Sequence, residues 1–351
     1  MDFINNWLRS DILAINSYFV PNSTGKLKLD AMESPFLLDE KTNQELAKKL
    51  SKVHFNRYPH NHQNLHKVIK DLMDIPDDLE ILLGNGSDEL IQLLMLGCDF
   101  DDKILGMSPS FVMYEMIAKW CKLNYLSIDL DSNFEIKERE VLQNIKQNNP
   151  KIIFISQPNN PTGNNFKRSS IEKIINSTKN MVVVDEAYYA YSDNNFIPDI
   201  QKYDNLVVLR TISKIGFAGL RLGVMIGSKQ TINELNKLRM PYNINSLTMC
   251  ACEFLLTNKS LIVKNATIIK QQRAVVFETL NNIDAIVAFK SNANFILFKL
   301  ANADKLFDYL TLNNILIKKM SGAMSNYLRV TIGNKNENKQ FLQLVSKFYN
   351  L

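Results

Sequence analysis

The sequence predicts an α/β protein with a mostly parallel sheet and a second, smaller α+β region. Between about residues 41 and 250, short apolar runs alternate with helical patterns, as expected of parallel strands joined by helices. Several of these runs are apolar along their whole length, which is typical of strands buried on both faces. The strands predicted in this region are 81–83, 103–107, 151–156, 181–185, 205–210 and 222–227.

Helices are predicted between these strands, and the pattern changes after about Leu247. The helical patterns of the first region are 88–96, 111–120, 136–146 and 169–179. The later region combines helical patterns at 261–280, 303–312 and 335–348 with short strands at 286–289, 294–300, 315–319 and 327–332. We therefore predict a larger domain at residues 46–249 and a smaller domain formed by residues 1–45 and 250–351.

Composition and charge exclude several classes of protein. Of the 351 residues, 46% are apolar and 22% charged, which is ordinary for a soluble globular protein. The net charge of +5 is too small to indicate nucleic-acid binding. No apolar stretch has the length of a membrane span, and the N-terminus lacks the features of a signal peptide. Four cysteines without zinc-ligand spacing or a disulfide framework favour a cytoplasmic location.

A strand, a glycine turn and a helix start follow one another at residues 81–90. Gly84 and Gly86 allow the backbone to approach a ligand, and the N–H groups of a first helical turn attract phosphate. Ser87 adds a hydroxyl donor, and Asp88 follows it. An ordinary strand–helix turn is the alternative interpretation. The absence of a third glycine excludes the dinucleotide-binding fingerprint.

Two further loops follow buried strands. In the segment 156–163, the turn holds the Asn160 amide at the carboxyl end of a strand, where ligands of open α/β sheets bind. Asp185 comes directly after an apolar strand in the sequence Asp-Glu-Ala-Tyr. A carboxylate in this place requires a cation. Its partner is either a metal ion, for which no cluster of ligands is evident, or the protonated ring nitrogen of a cofactor.

Lys214 lies in a loop of small and apolar residues. Desolvation lowers the pKa of an ammonium group, so a neutral amine able to attack an aldehyde is favoured there. Ser213 and Arg221 flank it as candidate phosphate ligands. Taken alone, Lys214 is more often a surface lysine whose amine reaches solvent. Four such elements, each at the end of a predicted strand, make that coincidence improbable.

With these residues in place, the chain resembles the fold-type I pyridoxal-phosphate-dependent aminotransferases. The most specific elements are Asn-Pro-Thr-Gly at 160–163, Asp-Glu-Ala-Tyr at 185–188 and Ser-Lys with Gly-Leu-Arg-Leu-Gly at 213–223. Segments 28–36, 56–59 and 327–333 are similar to the histidinol-phosphate branch of this family. The resemblance runs nearly from end to end. It implies the fold-type I architecture, a large domain with a mostly parallel sheet and a smaller α+β domain, and pyridoxal 5'-phosphate as the cofactor.

The resemblance also implies roles for individual residues. The catalytic residues would be Lys214 as the Schiff-base lysine, Asp185 on the pyridinium nitrogen, and Tyr188, which with Asn160 contacts the ring oxygen. The cofactor phosphate would lie among Ser87, Asp88, Thr211, Ser213 and Arg221. Tyr58 would reach the same phosphate from the partner subunit of a homodimer, and Phe111 would stack on the ring. The anionic substrate would meet Arg329, Lys318, Asn160 and Tyr18.

Three positions depart from the family pattern. Phe111 stands where many relatives carry a tyrosine, which keeps the stacking and removes the hydroxyl. Ser34 replaces a common asparagine. Lys318 replaces a second arginine, and a point charge binds an anion less specifically than a planar guanidinium does.

The implied reaction converts histidinol phosphate and 2-oxoglutarate to imidazole-acetol phosphate and glutamate. The alternatives are an aminotransferase for aromatic or other amino acids, a phosphothreonine decarboxylase that uses the same cofactor, and a non-catalytic binding or regulatory protein of the same fold. The sequence patterns do not show which bond at Cα is aligned with the ring, so these alternatives stay open.

Two other groups of residues receive a structural interpretation. The four histidines, His54, His60, His62 and His66, lack the carboxylate or cysteine that would complete a metal site, and we predict a solvated helix start. The run of aromatic and methionine side chains is explained by packing, apart from Phe111. This run comprises Phe111, Met113, Tyr114, Met116 and Trp120.

Overall fold

The structure is a computed structural model that describes residues 2–17, 20–59 and 62–350. The strands, in chain order, are β1 (Leu27–Lys28), β2 (Leu79–Gly84), β3 (Lys103–Ser108), β4 (Asn124–Asp129), β5 (Ile152–Ser156), β6 (Met181–Asp185), β7 (Leu206–Thr211), β8 (Gly223–Ser228), β9 (Val287–Ala288), β10 (Phe295–Lys299), β11 (Ile315–Leu316), β12 (Lys318–Lys319) and β13 (Tyr327–Thr331).

The α-helices lie between and after these strands. In chain order they are α1 (Asp2–Trp7), α2 (Ser10–Leu13), α3 (Glu40–Leu50), α4 (Gln63–Met73), α5 (Ser87–Leu96), α6 (Met113–Trp120), α7 (Glu138–Asn148), α8 (Arg168–Asn176), α9 (Lys229–Leu235), α10 (Ser246–Leu255), α11 (Lys259–Asn281), α12 (Ala303–Leu312) and α13 (Lys335–Phe348). Within the described ranges, no helix is both long and apolar enough to cross a membrane.

The larger sheet has seven strands in the described part of the chain, in the order β2-β8-β7-β6-β5-β3-β4. Its strands pair in parallel from β7 to β4, and β8 runs antiparallel between β2 and β7. This confirms the predicted α/β fold with a mostly parallel sheet. The edge strand β4 was missing from the predicted strands, because most of its side chains are at least partly exposed and give no continuous apolar run.

Both faces of this sheet are covered, which explains the uninterrupted apolar sequences of its central strands. Val182 and Val184 of β6 belong to a core cluster shared with α4, α7, α8 and α10. Val183 points to the opposite face and belongs to a second cluster shared with α5, α6 and α9. Successive residues of the strand therefore enter two separate cores.

The smaller domain is an antiparallel sheet, β12-β13-β10-β9, packed with α11, α12 and α13. The N-terminal strand β1 pairs in parallel with β11, and Leu29 enters the same core. The N-terminal segment thus packs with the C-terminal part of the chain. We propose the boundaries 46–249 for the larger domain, and 1–45 with 250–351 for the smaller one.

The register of the larger sheet aligns the strand ends at one edge. Ser156 at the end of β5 lies opposite Asp185 at the end of β6. Gly84 of β2 and Thr211 of β7 both lie opposite Gly223, one on each side of β8. The loops after these strands carry the residues that the sequence had singled out.

Candidate active site

A cavity lies at this edge of the larger sheet. The structure brings together there ten of the eleven residues predicted to bind the cofactor. These are Ser87, Asp88, Phe111, Asn160, Asp185, Tyr188, Thr211, Ser213, Lys214 and Arg221. Met32, Ser156 and Ala187 complete the lining, and the sequence patterns had not indicated them.

Lys214 is positioned by a short 3-10 turn, Ser213–Ile215, that follows β7. Its Nζ donates a hydrogen bond of 3.2 Å to the carbonyl oxygen of Ala31. The side chain keeps some accessible surface because it faces the cavity, yet protein atoms surround its amine on the other sides. This desolvation, followed by the positive charge of Arg329, lowers the pKa of Lys214 to about 8. The amine is therefore far more nucleophilic at neutral pH than an ordinary lysine.

Asp185 ends β6 and is buried, with 3% of its surface exposed. Its Oδ2 accepts a hydrogen bond of 2.7 Å from the hydroxyl of Tyr114, and its Oδ1 accepts one of 3.0 Å from the amide of Ala187. Burial raises the pKa of Asp185 to about 6, and the hydrogen bond from Tyr114 opposes that rise. Because this carboxylate is buried, its ionised form would be stabilised by a cationic partner inside the cavity.

The N-terminus of α5 and the side chains of Thr211, Ser213 and Arg221 form a cradle for an anion. Gly86, with φ of 84°, precedes the helix, and a Cβ added to it would meet Arg221 Nη2 at 2.5 Å. A Cβ on Gly223 would meet the Ser87 amide nitrogen at 2.5 Å. Both positions therefore require glycine. The N–H groups of the first turn of α5 have no carbonyl partner within the helix and suit a phosphate.

Arg221 supplies the cation of this cradle. Its backbone adopts the left-handed region, with φ of 50°. Its Nη1 lies 3.5 Å from the hydroxyl of Ser213, and its Nη2 lies 3.4 Å from the carboxylate of Asp88. The hydroxyls of Ser213 and Thr211 are 3.0 Å apart. These long contacts leave the guanidinium able to turn toward a phosphate.

Three residues line the part of the cavity where the ring of the implied cofactor would lie. Tyr188 is buried and contacts the sulfur of Met32, 3.3 Å from its hydroxyl. Asn160 is buried as well and accepts a hydrogen bond from Arg329. Phe111 is partly buried, and its ring meets the ring of Tyr114 edge to face at 5.5 Å.

The predicted substrate cations lie on adjacent strands of the smaller sheet. Arg329 of β13 is buried, and its Nη2 donates a hydrogen bond of 3.0 Å to the carbonyl oxygen of Asp30. Lys318 of β12 lies directly opposite Arg329 in the strand register. Burial lowers the pKa of Lys318, and the charge of Arg329 lowers it further. Two close cations favour a dianionic ligand.

Of the residues predicted to bind the cofactor, Tyr58 does not line this cavity. Tyr58 is exposed and stacks on Tyr242, with ring centroids 4.4 Å apart. Its predicted contact involves a second subunit and stays a prediction. Tyr18 lies outside the described residues.

The histidines are less solvated than predicted. His60 lies outside the described residues, whereas His54 is exposed. The rings of His62 and His66 stack at 6.2 Å, and burial lowers the pKa of His66 to about 4. Among the described residues, no group of three or more potential ligands could hold a metal ion.

Sequence reasoning missed the part that Tyr114 plays in this site. The sequence predicts only packing for Tyr114, whereas in the structure its hydroxyl contacts the central carboxylate of the cavity. The sequence offered no signal for this contact, because Tyr114 and Asp185 are 71 positions apart and the pattern of a buried helical tyrosine does not depend on the partner of its hydroxyl.

These residues fit pyridoxal phosphate. The amine of Lys214 suits its aldehyde, the buried Asp185 suits a protonated ring nitrogen, and the α5 amides with Arg221 suit its phosphate. The two glycines keep that cradle open.

The chain belongs to the class I and II aminotransferases, because the model of that family matches residues 24–345. It is 52% identical, over 99% of both chains, to the histidinol-phosphate aminotransferase of Vesicomyosocius okutanii subsp. Calyptogena okutanii (strain HA). The fold is similar to that of the histidinol-phosphate aminotransferase from Clostridium acetobutylicum, with a TM-score of 0.84, 26% identity, and 92% of this chain and 99% of that one covered. A structure of the Sinorhizobium meliloti histidinol-phosphate aminotransferase with pyridoxal-5'-phosphate shares the fold at a TM-score of 0.84 and 15% identity, covering 97% and 98%.

Proposed function

We propose that this enzyme uses pyridoxal 5'-phosphate to transfer the amino group of histidinol phosphate to 2-oxoglutarate, a step of histidine biosynthesis. The products are imidazole-acetol phosphate and glutamate. The observation that carries the proposal is the placement of the Lys214 amine and the Asp185 carboxylate in one cavity, beside an anion cradle. The relative that is 52% identical over the whole chain supports the choice of substrates.

The catalytic work is divided between two residues. When bound, the cofactor supplies an electron sink for the bond that breaks at the substrate Cα. Lys214 would bind the cofactor aldehyde and, once released by the amino donor, carry the proton away from Cα. With a pKa of about 8, a substantial fraction of this amine is neutral at pH 7 to 8. Asp185 would hold the proton on the ring nitrogen.

The other cavity residues would hold the cofactor in place. Tyr188 and Asn160 would contact the ring oxygen, and Phe111 would pack on the ring face. The phosphate would be bound by the Ser87 and Asp88 amides and the side chains of Thr211, Ser213 and Arg221. Charge-assisted hydrogen bonds to a dianion are about twice as strong as neutral ones, so the phosphate group would contribute strongly to the affinity for the cofactor.

The substrate anions would bind at the edge of the smaller domain. Arg329 lies close enough to Lys214 to lower the pKa of its amine, and Lys318 lies opposite Arg329 in the strand register. The phosphate of histidinol phosphate and a carboxylate of 2-oxoglutarate could use the same cations in alternate half-reactions. Tyr18 would assist at this end.

We also propose a homodimer in which Tyr58 completes the phosphate site of the partner subunit. Phe55, three positions before Tyr58, is 78% exposed, and Leu37 of the N-terminal segment is 95% exposed. Exposed apolar residues of this size favour a subunit interface. As a biosynthetic enzyme with free cysteines, it would work in the cytoplasm.

The decisive experiment compares three amino donors in a half-reaction. Purified protein loaded with pyridoxal phosphate is mixed with histidinol phosphate, phenylalanine or phosphothreonine, without a keto acid. The absorbance of the cofactor then reports its conversion from the aldehyde to the amine form. We expect the fastest conversion with histidinol phosphate, and none in the variant Lys214→Ala. Faster conversion with phenylalanine would assign an aromatic donor, and release of carbon dioxide from phosphothreonine would replace transamination by decarboxylation.

A further inference from the structure

Tyr114 occupies a position that packing alone does not explain. It lies in α6, beside the larger sheet, and is fully buried. Its ring stacks on Phe154 of β5, with centroids 4.7 Å apart and planes at 14°. A phenylalanine would make this contact equally well. The hydroxyl must therefore have another partner, because a buried hydroxyl without a hydrogen bond is destabilising.

That partner is Asp185. The Tyr114 hydroxyl donates to Oδ2 at 2.7 Å, an ordinary distance for an O–H···O hydrogen bond, and such a bond to a carboxylate is strengthened when the carboxylate is ionised. The other oxygen, Oδ1, accepts from the amide of Ala187. With one donor on each oxygen, the plane of the carboxylate is fixed.

Tyr114 also contacts the residue expected to lie on the cofactor ring. Its ring meets Phe111 edge to face, with an interplanar angle of 87°. One side chain thus touches both the carboxylate at the ring nitrogen and the aromatic group stacked on the ring. A displacement of Tyr114 would move both of these contacts.

Negative charges near Asp185 disfavour its ionised form, whereas the hydrogen bond from the Tyr114 hydroxyl favours it. The carboxylates of Asp88 and Glu186 both disfavour a negative charge on Asp185. Glu186 is itself paired with Arg210, at 2.7 Å, on the other side of the chain. Lys214 lines the same cavity from the turn after β7. Within the described residues, the side-chain donor that favours the ionised form of Asp185 is therefore Tyr114.

We propose that Tyr114 is a positioning residue that orients Asp185 and keeps its carboxylate ionised. The proton shared between Asp185 and the cofactor would then stay on the ring nitrogen. This inference rests on the proposed function. Without the hydroxyl, the carboxylate becomes more basic and draws the shared proton to itself. The ring then withdraws electrons less strongly.

The test measures where that proton lies. Wild-type protein, Tyr114→Phe and the control Tyr125→Phe are loaded with pyridoxal phosphate labelled with ¹⁵N in the ring, and the ¹⁵N chemical shift is recorded at pH 7.5. Tyr125 is a suitable control because it packs against the same core cluster as Tyr114 but does not line the cavity. We expect a resonance of a protonated ring in the wild type and in Tyr125→Phe. In Tyr114→Phe it moves toward the unprotonated position.

Two further measurements accompany the chemical shift. Loss of a hydrogen bond to a charged group should weaken cofactor binding in Tyr114→Phe by about ten-fold and lower kcat by about ten-fold, with KM little changed. A Tyr114→Phe protein with the same ¹⁵N shift and the same cofactor affinity as the wild type would overturn the inference. Failure of the wild type to bind pyridoxal phosphate would instead overturn the proposed function.

A folding defect is separated by a second variant. If thermal unfolding shows that Tyr114→Phe does not fold, p-aminophenylalanine is incorporated at position 114. This residue keeps the ring and offers a weaker donor than a phenol. The resonance should then move part of the way toward the unprotonated position, and an unchanged shift would refute the role of Tyr114.

Discussion

Asn160 and Arg329 are joined by a side-chain hydrogen bond that links the two domains. Asn160 follows β5 of the larger sheet, whereas Arg329 lies in β13 of the smaller one. The hydrogen bond holds the buried guanidinium beside the cavity that contains Lys214. The residue expected to recognise substrate is thus oriented by a residue expected to touch the cofactor.

Replacement of Asn160 should therefore weaken substrate binding as well as catalysis. In Asn160→Ala, the guanidinium of Arg329 loses an acceptor, and we expect kcat/KM for 2-oxoglutarate to fall by about ten- to hundred-fold. Steady-state kinetics with both substrates measure this effect. Asn165→Ala is the matched control, because Asn165 lies near the same turn and bonds to Ser192 outside the cavity. Equal kinetics for the two variants would contradict the link.

The proposed contact between Lys318 and the substrate anion can be tested with the neighbouring Lys319 as a control. Lys318 lies opposite Arg329, whereas Lys319 forms an ion pair of 2.6 Å with Asp304. In Lys318→Met, we expect KM for histidinol phosphate to rise about ten-fold with kcat nearly unchanged, as for an interaction made equally in ground and transition states. Lys319→Met should leave both constants unchanged. A similar loss in both variants would show a general effect of charge rather than a contact with substrate.

The buried amine of Lys214 should reduce the stability of the cofactor-free protein. Its pKa is about 8 in the folded state, against 10.5 ordinarily, so the unfolded chain binds more protons between these values. The free energy of unfolding consequently rises with pH through that range, and the full penalty, about 3 kcal/mol, applies below pH 8. We expect Lys214→Met to be more stable than the wild type at pH 7, by up to about 3 kcal/mol, and to lose most of this advantage by pH 10.

Urea unfolding of the cofactor-free proteins at pH 7 and pH 9.5, at one protein concentration, measures this difference. Lys299→Met serves as the control, because Lys299 is exposed. A Lys214→Met protein that is no more stable than the wild type at pH 7 would show that the amine is well solvated.

The sequence was most informative where a single physical rule determines the structure. The continuous apolar runs of β5, β6 and β7 predicted strands buried on both faces, and the structure confirms them. The edge strand β4 was missed because most of its side chains are at least partly exposed and form no continuous apolar run. The placement of site residues at strand ends also followed from the sequence, since parallel strands end at one edge.

The contacts between distant segments could not be predicted in the same way. Tyr114 and Asp185 are 71 positions apart, and Lys214 bonds to a carbonyl 183 positions away. Only the packing of α6 on the sheet, and of the N-terminal segment on the cavity, brings these groups together. A buried tyrosine in a helix has the same sequence pattern whether its hydroxyl is used or not.

Tyr58 offers the strongest test of the shared active site. If Tyr58 serves the partner subunit, a subunit with Tyr58→Ala and one with Lys214→Ala should complement each other. In a hybrid dimer, the site that keeps Lys214 receives an intact Tyr58 from the other subunit. Random reassociation of equal amounts makes half of the dimers hybrid, with one working site of two, so activity should recover to about a quarter of the wild-type value.

The control mixes Lys214→Ala with Asp185→Asn. Both residues line the same cavity of one chain, so no hybrid contains an intact site and no activity should return. Activity is measured at limiting pyridoxal phosphate, where Tyr58→Ala alone should be nearly inactive because it lacks a phosphate contact. If Tyr58 acted within its own subunit, the first mixture would stay as inactive as the control, because each site of the hybrid would carry one defect. The recovered fraction thus decides which subunit Tyr58 serves.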